Sequence, residues 1–259
     1  MKYVDLNCDL GESFGNWKCG MDEEVLPCIS SANVACGFHA SDPLVMRETV
    51  KRAAANGVSI GAHPGYPDLV GFGRRKMDVK PEELKSMVMY QIGALRAFCE
   101  AAHVPLVHVK PHGAMYNTAG KDMKLATAIA EGIYEVDPNL ILLGLDGSLL
   151  IEAAKKTGLA YAREVFADRA YNDDGSLVPR GLPGAVIEDT AVALSRVISM
   201  VKLGCVKSIN GKHVEVHPDS ICLHGDGRKA VDFSREIHEE LLRENVTIAP
   251  LKEVIKWTQ

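Results

Sequence analysis

No basic block long enough to neutralise a run of phosphates interrupts this sequence, and 34 carboxylates against 29 basic side chains leave a formal net charge of -5. A surface without a basic block cannot neutralise a row of phosphates, which excludes nucleic acid as the expected partner. Long apolar runs are missing as well. Stretches such as Leu140 to Leu145 fall far short of the roughly 20 residues that a bilayer-crossing helix needs. The chain passes from Met1-Lys2 directly into a strand-like run, so we expect no signal peptide, no membrane contact and a cytoplasmic location. Paired cysteines are absent: Cys8, Cys19, Cys28, Cys36, Cys99, Cys205 and Cys222 form no C-x-x-C motif. Reduced thiols are the expectation, not a disulfide framework.

Three familiar ligand signatures are also missing. There is no G-x-x-x-x-G-K-[ST] phosphate loop, no G-x-G-x-x-G turn and no H-E-x-x-H helix. Any phosphate or metal site must therefore be assembled from separate segments. Two glycine-containing stretches, Gly71-Phe72-Gly73-Arg74-Arg75 and Arg180 to Gly184, could hold phosphate or could be plain solvated loops.

What the sequence does contain is alternation. Short apolar runs, polar turns and helical patterns repeat at roughly 30-residue intervals, as in βαβ units. Core strands are predicted at Tyr3 to Leu6, Ile29 to Ala35, Val58 to Ala62, Leu106 to Val109, Leu140 to Leu145, Ala160 to Phe166 and Ser220 to Leu223. A short eighth is predicted at Val246 to Ile248. Asp42-Pro43 supplies a helix cap and first turn, Pro81 opens a helix with Leu84, Val88, Ile92, Leu95 and Cys99 on one face, and further helices are predicted at Lys121 to Val136, Ser148 to Thr157, Asp189 to Leu203 and Lys229 to Leu242. Asn210-Gly211 signals a β-hairpin inserted near 206–217. With no linker in 259 residues, the economical organisation is one domain, 1–259, folded as a closed parallel barrel; an open doubly wound sheet is the alternative.

In either architecture ligands bind beyond the C-terminal ends of the strands. The residues at those ends are Asn7, Asp9 and Glu12; His39 and Asp42; His63 and Asp68; Lys110, His112 and Asn117; Asp146; Glu164, Asp168 and Arg169; His224 and Asp226. Turns favour Asp and Asn without any function, but they do not favour histidine or lysine, so His39, His63, Lys110, His112 and His224 point to a shared site. Asp9, His39 and His63 suit either a divalent metal or acid–base work. His108 either points into the barrel or is a satisfied core histidine, whereas His103, His213, His217 and His238 read as surface or helix-end residues, His238 on a solvated helix face.

Eight blocks carry a resemblance. Asp5-Leu6-Asn7-Cys8-Asp9-Leu10-Gly11-Glu12, Ser31-Ala32-Asn33-Val34-Ala35-Cys36-Gly37-Phe38-His39, Gly61-Ala62-His63-Pro64-Gly65-Tyr66-Pro67-Asp68 and the Gly71 to Arg75 loop resemble signature segments of the LamB/YcsF family. So do the blocks His108 to Asn117, Glu164 to Arg169, Pro183-Gly184-Ala185 and Cys222 to Asp226. Ser41 departs from the pattern where glycine is expected, which bears on the helix cap more than on the chemistry.

The resemblance implies an α/β fold, a seven-stranded (β/α) TIM-like barrel of the glycoside hydrolase/deacetylase type. It also implies an ATP-hydrolysing 5-oxoprolinase that opens 5-oxo-L-proline to L-glutamate in the company of subunits B and C. On that footing ATP, with a divalent metal either accompanying it or bound at the barrel mouth, is the expected cofactor. Expected roles are Asp9 or Glu12 as general base, His39 and His63 as proton carriers or ligands, Lys110 beside phosphoryl oxygens, and His112 in the same catalytic group. Arg169 would hold the substrate carboxylate with Asp168 orienting it, and Asn7, Arg74, Asn117, Glu164, Arg180, His224 and Asp226 would line the substrate and phosphate positions. Two rivals stay open on the residues alone: a metal-dependent amide or carbohydrate deacetylase, and a non-catalytic ligand-binding protein whose partners do the chemistry.

Overall fold

The computed structural model describes residues 2–223 and 228–258. In chain order the elements run β1 (Lys2–Leu10), α1 (Asp22–Val25), β2 (Ser31–Ala35), α2 (Pro43–Ala55), β3 (Ser59–His63), α3 (Pro81–Ala101), β4 (Leu106–Val109), α4 (Gly113–Ala119) and α5 (Met123–Val136). They continue with β5 (Ile141–Leu145), α6 (Leu149–Thr157), β6 (Ala160–Phe166), α7 (Thr190–Leu203), β7 (Cys205–Lys207), β8 (His213–Glu215), β9 (Ser220–Leu223), α8 (Arg228–Arg243), β10 (Val246–Ile248) and α9 (Leu251–Thr258).

Seven parallel strands close into a barrel in the order β1-β2-β3-β4-β5-β6-β9, with β9 pairing back onto β1. Closure settles the choice against an open sheet. β10 stands outside the ring, pairing among the described residues with the start of β1 alone, through Lys2 and Val246, Tyr3 and Thr247, and Val4 and Ile248. Cys205–Lys207 and His213–Glu215 pair antiparallel as a separate hairpin.

β1 runs four residues further than the hydrophobic pattern predicts, because both of its edges are bonded: Asn7 to Leu10 pair with β2 and Asp5 to Cys8 with β9. Asn7 and Asp9 are therefore strand residues, not loop residues, and so is Glu164 on β6. Strand geometry sends alternate side chains to opposite faces. Val4, Leu6, Cys8 and Leu10 join the apolar shell between sheet and helices, while Asp5, Asn7 and Asp9 bond to Ser31 and Asn33 of β2 in the barrel interior. Neighbouring strands repeat the division, with Ser31 and Asn33 on β2, His108 on β4, and Ser220 and Cys222 on β9 joining the same interior network.

The apolar packing thus lies outside the barrel. On α3 the predicted face Leu84, Val88, Ile92, Leu95 and Cys99 is fully or almost fully buried, each of the aliphatic side chains worth about 1.5–3 kcal/mol relative to exposure. The α2 cap forms as expected: the Asp42 carboxylate accepts from Leu44 N and Val45 N, and Pro43 begins the helix. Just before it, Ser41 has a φ of 74°, the left-handed region in which glycine is at ease. The one departure from the family pattern therefore sits where a side chain is strained. All seven cysteines are free, and no described helix is long and apolar enough to cross a membrane.

Candidate active site

The barrel interior is stacked in polar layers. At the bottom, Asp5 accepts from the hydroxyls of Ser30, Ser31 and Ser220. Burial pushes its carboxyl up to about 6 despite those three donors, and nearby Glu164 adds to the rise. Above it Asn33 is a junction: its Nδ2 donates to Asn7 Oδ1 at 2.7 Å and Asp9 Oδ1 at 2.8 Å, while its Oδ1 accepts from His108 Nε2 at 2.7 Å. His108 therefore does point into the barrel. Gly61 makes the room, since a Cβ there would lie 2.1 Å from His108 Nε2. Burial, then Lys110 and His63, push the ring down to about 3, so it is a neutral donor.

Lys110, one residue past β4, reaches the next layer. Its Nζ lies 2.9 Å from Asp9 Oδ1, 2.8 Å from Glu164 Oε1, 3.2 Å from Asn7 Oδ1 and 3.2 Å from Cys222 Sγ. Burial opposes its charge, but Asp9, Cys222 and Glu164 outweigh it and hold the ammonium well above its ordinary value. Asp9 is the mirror case: burial works against ionisation, and His63 and Lys110 overcome it and pull the carboxyl well down. Tyr116, on the short helix α4, donates to Glu164 Oε2 at 2.7 Å.

Beside this ion network lies a histidine cluster. Glu12 Oε1 is 3.3 Å from His39 Nε2 and 3.5 Å from His112 Nδ1, and His63 Nε2 is 2.9 Å from His112 Nδ1. The His39 and His112 rings stack with centroids 3.8 Å apart. The loop after β3 is laid over the stack and explains the glycines of the Gly71 to Arg75 block. A Cβ on Gly73, at a φ of 61°, would come 2.7 Å from His39 Cβ and 2.9 Å from His112 Cδ2. Arg75 in that loop bonds to Asp68, itself accepting from Gly71 N, so this guanidinium holds the loop together and does not wait for phosphate. Arg74 lies with its cation 4.9 Å from the centre of the Phe72 ring.

The donor chemistry of the cluster fits a divalent cation. Glu12, His39, His63 and His112 each offer an atom within 4.8 Å of the others, and ligand atoms at zinc–nitrogen bond lengths stand about 3.3 Å apart around a tetrahedron. The far nitrogens of two rings are anchored on backbone carbonyls, His63 Nδ1 on Lys110 O at 2.7 Å and His112 Nε2 on Phe72 O at 2.9 Å. Each of those contacts needs an N–H, which turns the bare lone pairs of His63 Nε2 and His112 Nδ1 toward each other. Burial and the neighbouring rings hold His112 well below its ordinary value, and burial does the same for His39. Neutral imidazoles with converging lone pairs are what a cation site requires. The set differs from the sequence expectation, since Glu12 and His112 belong to it, while Asp9 approaches only through His63 at 3.2 Å and is bonded to Lys110.

Both groups open on a cavity of about 860 Å³. Asp9, Glu12, His63, Lys110 and His112 line it, and so do Asn117 on α4 and Arg74, Arg169 and Arg180 on the surrounding loops. Asn7, His39 and Glu164 sit behind that wall, each buried. Arg169 commits one side of its fork to the loop, its Nη2 and Nε donating to Val178 O and Ala185 O. Asp168 is not among the residues that line the cavity. His224 and Asp226 lie outside the described residues. His238, expected on a solvated face, is half-buried and bonds to Cys28 O at 3.0 Å. Tyr116, Asn33 and Cys222 join the site although the sequence pattern does not single them out. Polar residues at alternate positions along β1, β2 and β9 are the signal that marks this interior.

Comparison with known proteins agrees with this architecture. The LamB/YcsF family model matches residues 4–256. A Clostridium beijerinckii protein, named as the A component of 5-oxoprolinase, is 63% identical over 98% of this chain and 100% of its own length. One of the same name from Pyrococcus abyssi is 58% identical over 97% and 99%. The solved structure of a lactam utilization protein from Thermus thermophilus superposes with a TM-score of 0.91 at 46% identity, covering 96% of this chain and 99% of that one. A deacetylase solved with its substrate shares the fold alone, at a TM-score of 0.52 and 15% identity. Matched almost from end to end, this chain belongs to the LamB/YcsF family.

Proposed function

We propose that the chain is the component of an ATP-hydrolysing 5-oxoprolinase in which the lactam is opened, working with partner subunits B and C. The observation that supports this most is the meeting of two charged groups on one cavity wall, Asp9 with Lys110 and Glu12 with His63 and His112. A five-membered lactam is an unreactive amide, and transfer of a phosphoryl group from ATP to its oxygen makes the ring carbon electrophilic. Water then adds, the C–N bond breaks to release the amine, and a second water removes phosphate from the resulting acyl phosphate to leave glutamate.

Lys110, kept charged by Asp9 and Glu164, suits the stabilisation of phosphoryl or carbonyl oxygens as negative charge develops on them. Asp9, ionised so readily, is a poor proton acceptor near neutral pH; it positions Lys110 and His63. Glu12 is then the better candidate to take the proton from water. A divalent cation held by Glu12, His39, His63 and His112 would supply Lewis acidity to a substrate oxygen. Arg74 and Arg180 on the cavity wall, with the remaining arm of Arg169, offer positive charge to the substrate carboxylate and phosphate.

The test is glutamate formation from 5-oxoproline and ATP by the chain together with its B and C partners. Strict dependence on this chain and on ATP is the expected result. Full turnover by the partners without this chain would remove it from catalysis. The histidine cluster also favours one second reading, a metal-dependent amidohydrolase, which the same assay separates through turnover that needs metal and no ATP.

A further inference from the structure

The cavity is far larger than one five-membered lactam needs, and about 860 Å³ lies toward the upper end of the ~300–1,000 Å³ typical of ligand pockets. Its wall away from the histidine cluster is formed by the turn before α5 and the loop between β5 and α6, with Lys121 and Ser148 among the lining residues. Ser148 is the N-cap of α6, yet its side chain makes no capping bond. It is only 7% exposed, and its Oγ has no hydrogen-bond partner among the described residues. Buried hydroxyls are nearly always paired, and this one belongs to a residue of the cavity wall.

The surrounding acids do not share that condition. Asp122 accepts from Lys124 N and Leu125 N, Asp146 from His217 N, and Asp174 from Ser176 N and Oγ. At the start of α6, Leu149 N donates to Gly120 O and Ile151 N to Ser148 O, while Leu150 N has no acceptor within its helix. Gly147 precedes the helix at a φ of 74°, the Gly120 turn packs against Ser148, and Lys121, next after Gly120, lines the same cavity. A helix N-terminus with a free hydroxyl and an ammonium group is the arrangement that takes a phosphoryl group.

We propose that the N-terminus of α6, with Ser148 Oγ and Lys121, is a phosphoryl-binding subsite of this cavity. It goes beyond the ring-opening reading and stands on different residues. The chemistry is common to free inorganic phosphate and to the phosphoryl group of a larger ligand.

Calorimetric titration of the full-length chain with inorganic phosphate and, separately, with ATP tests it, using Ser148→Ala, Ser148→Asp and Lys121→Ala. An aspartate at 148 caps the helix and fills the subsite with its own carboxylate. Ser148→Asp is therefore expected to melt no lower than the native chain while binding weakens at least tenfold; Ser148→Ala and Lys121→Ala should each weaken it by about three- to tenfold. Ser148-dependent binding of phosphate itself assigns the subsite to the free ion, and Ser148-dependent binding of ATP alone assigns it to a nucleotide phosphoryl group. Equal binding by native and Ser148→Asp chains, or no binding of either probe at millimolar concentration, overturns the proposal. Because these are binding measurements, a failure of ring opening in the reconstituted enzyme leaves their outcome unaffected.

Discussion

His63 Nε2 and His112 Nδ1 lie 2.9 Å apart, and each ring gives its other nitrogen to a backbone carbonyl. With both rings in their neutral form, such anchoring opposes lone pair to lone pair, an arrangement that a bound cation relieves. The chain should therefore take up one equivalent of a divalent ion such as zinc. At a hundred times the dissociation constant such binding stabilises by about 2.7 kcal/mol, which for a domain of this size raises Tm by about 5–10 °C. His112→Ala should lose most of that rise; an equal rise in the variant would contradict the assignment.

Lys110, itself almost fully buried, is held between the partly exposed Asp9 and the buried Glu164. Removing one member of such a group strands charge in the interior, so Lys110→Met should destabilise the fold by about 3–5 kcal/mol. Adding Glu164→Gln to that variant should recover about 1–2 kcal/mol, measured by denaturant unfolding as a double-mutant cycle. Strict additivity would show that the two side chains do not interact.

Asp5 gives stability a pH dependence of unusual sign for a carboxylate. Its folded value, about 6, lies above the ordinary 3.8, so the folded chain binds the proton more tightly than the unfolded one. The stabilisation is complete below about pH 4 and is lost as pH rises through 6, amounting to about 3 kcal/mol. Asp5→Asn should flatten that part of the pH–stability curve, and an unchanged slope would mean that Asp5 does not titrate there.

Ser41 holds a left-handed backbone conformation immediately before the α2 cap. Ser41→Gly should stabilise by about 1 kcal/mol with catalytic rates unchanged, as read from thermal melts and turnover. A destabilised glycine variant would show that the serine side chain contributes more than its backbone strain costs.

The barrel is legible in the sequence because its outer shell obeys simple periodicities. The α3 stripe, the Asp42-Pro43 start and the Ala160 to Phe166 strand all appear where the pattern of apolar residues puts them. The end of β1 is not, because Asn7 and Asp9 look like turn residues and only pairing on both edges makes them strand. The eighth strand is legible as a strand, but its place outside the ring depends on register, which no local pattern carries. At the site, the histidines and Lys110 stand out because turns do not favour them. Their division into a metal-capable cluster and a separate ion network is hidden, because it depends on which way each ring is anchored. For Arg169 the hidden part is local: the loop bonds that Nη2 and Nε make to Val178 O and Ala185 O exist only once the loop is folded.

The central claim is that Glu12, His63 and His112 act on the substrate in this cavity. The most direct measurement is the steady-state rate of glutamate release from 5-oxoproline and ATP by the assembled enzyme carrying Glu12→Gln, with Tm recorded on the same preparation. A fall in kcat of about a thousandfold or more, with the Tm of the metal-free protein nearly unchanged, is the predicted result. Turnover within a few fold of the native rate would contradict it.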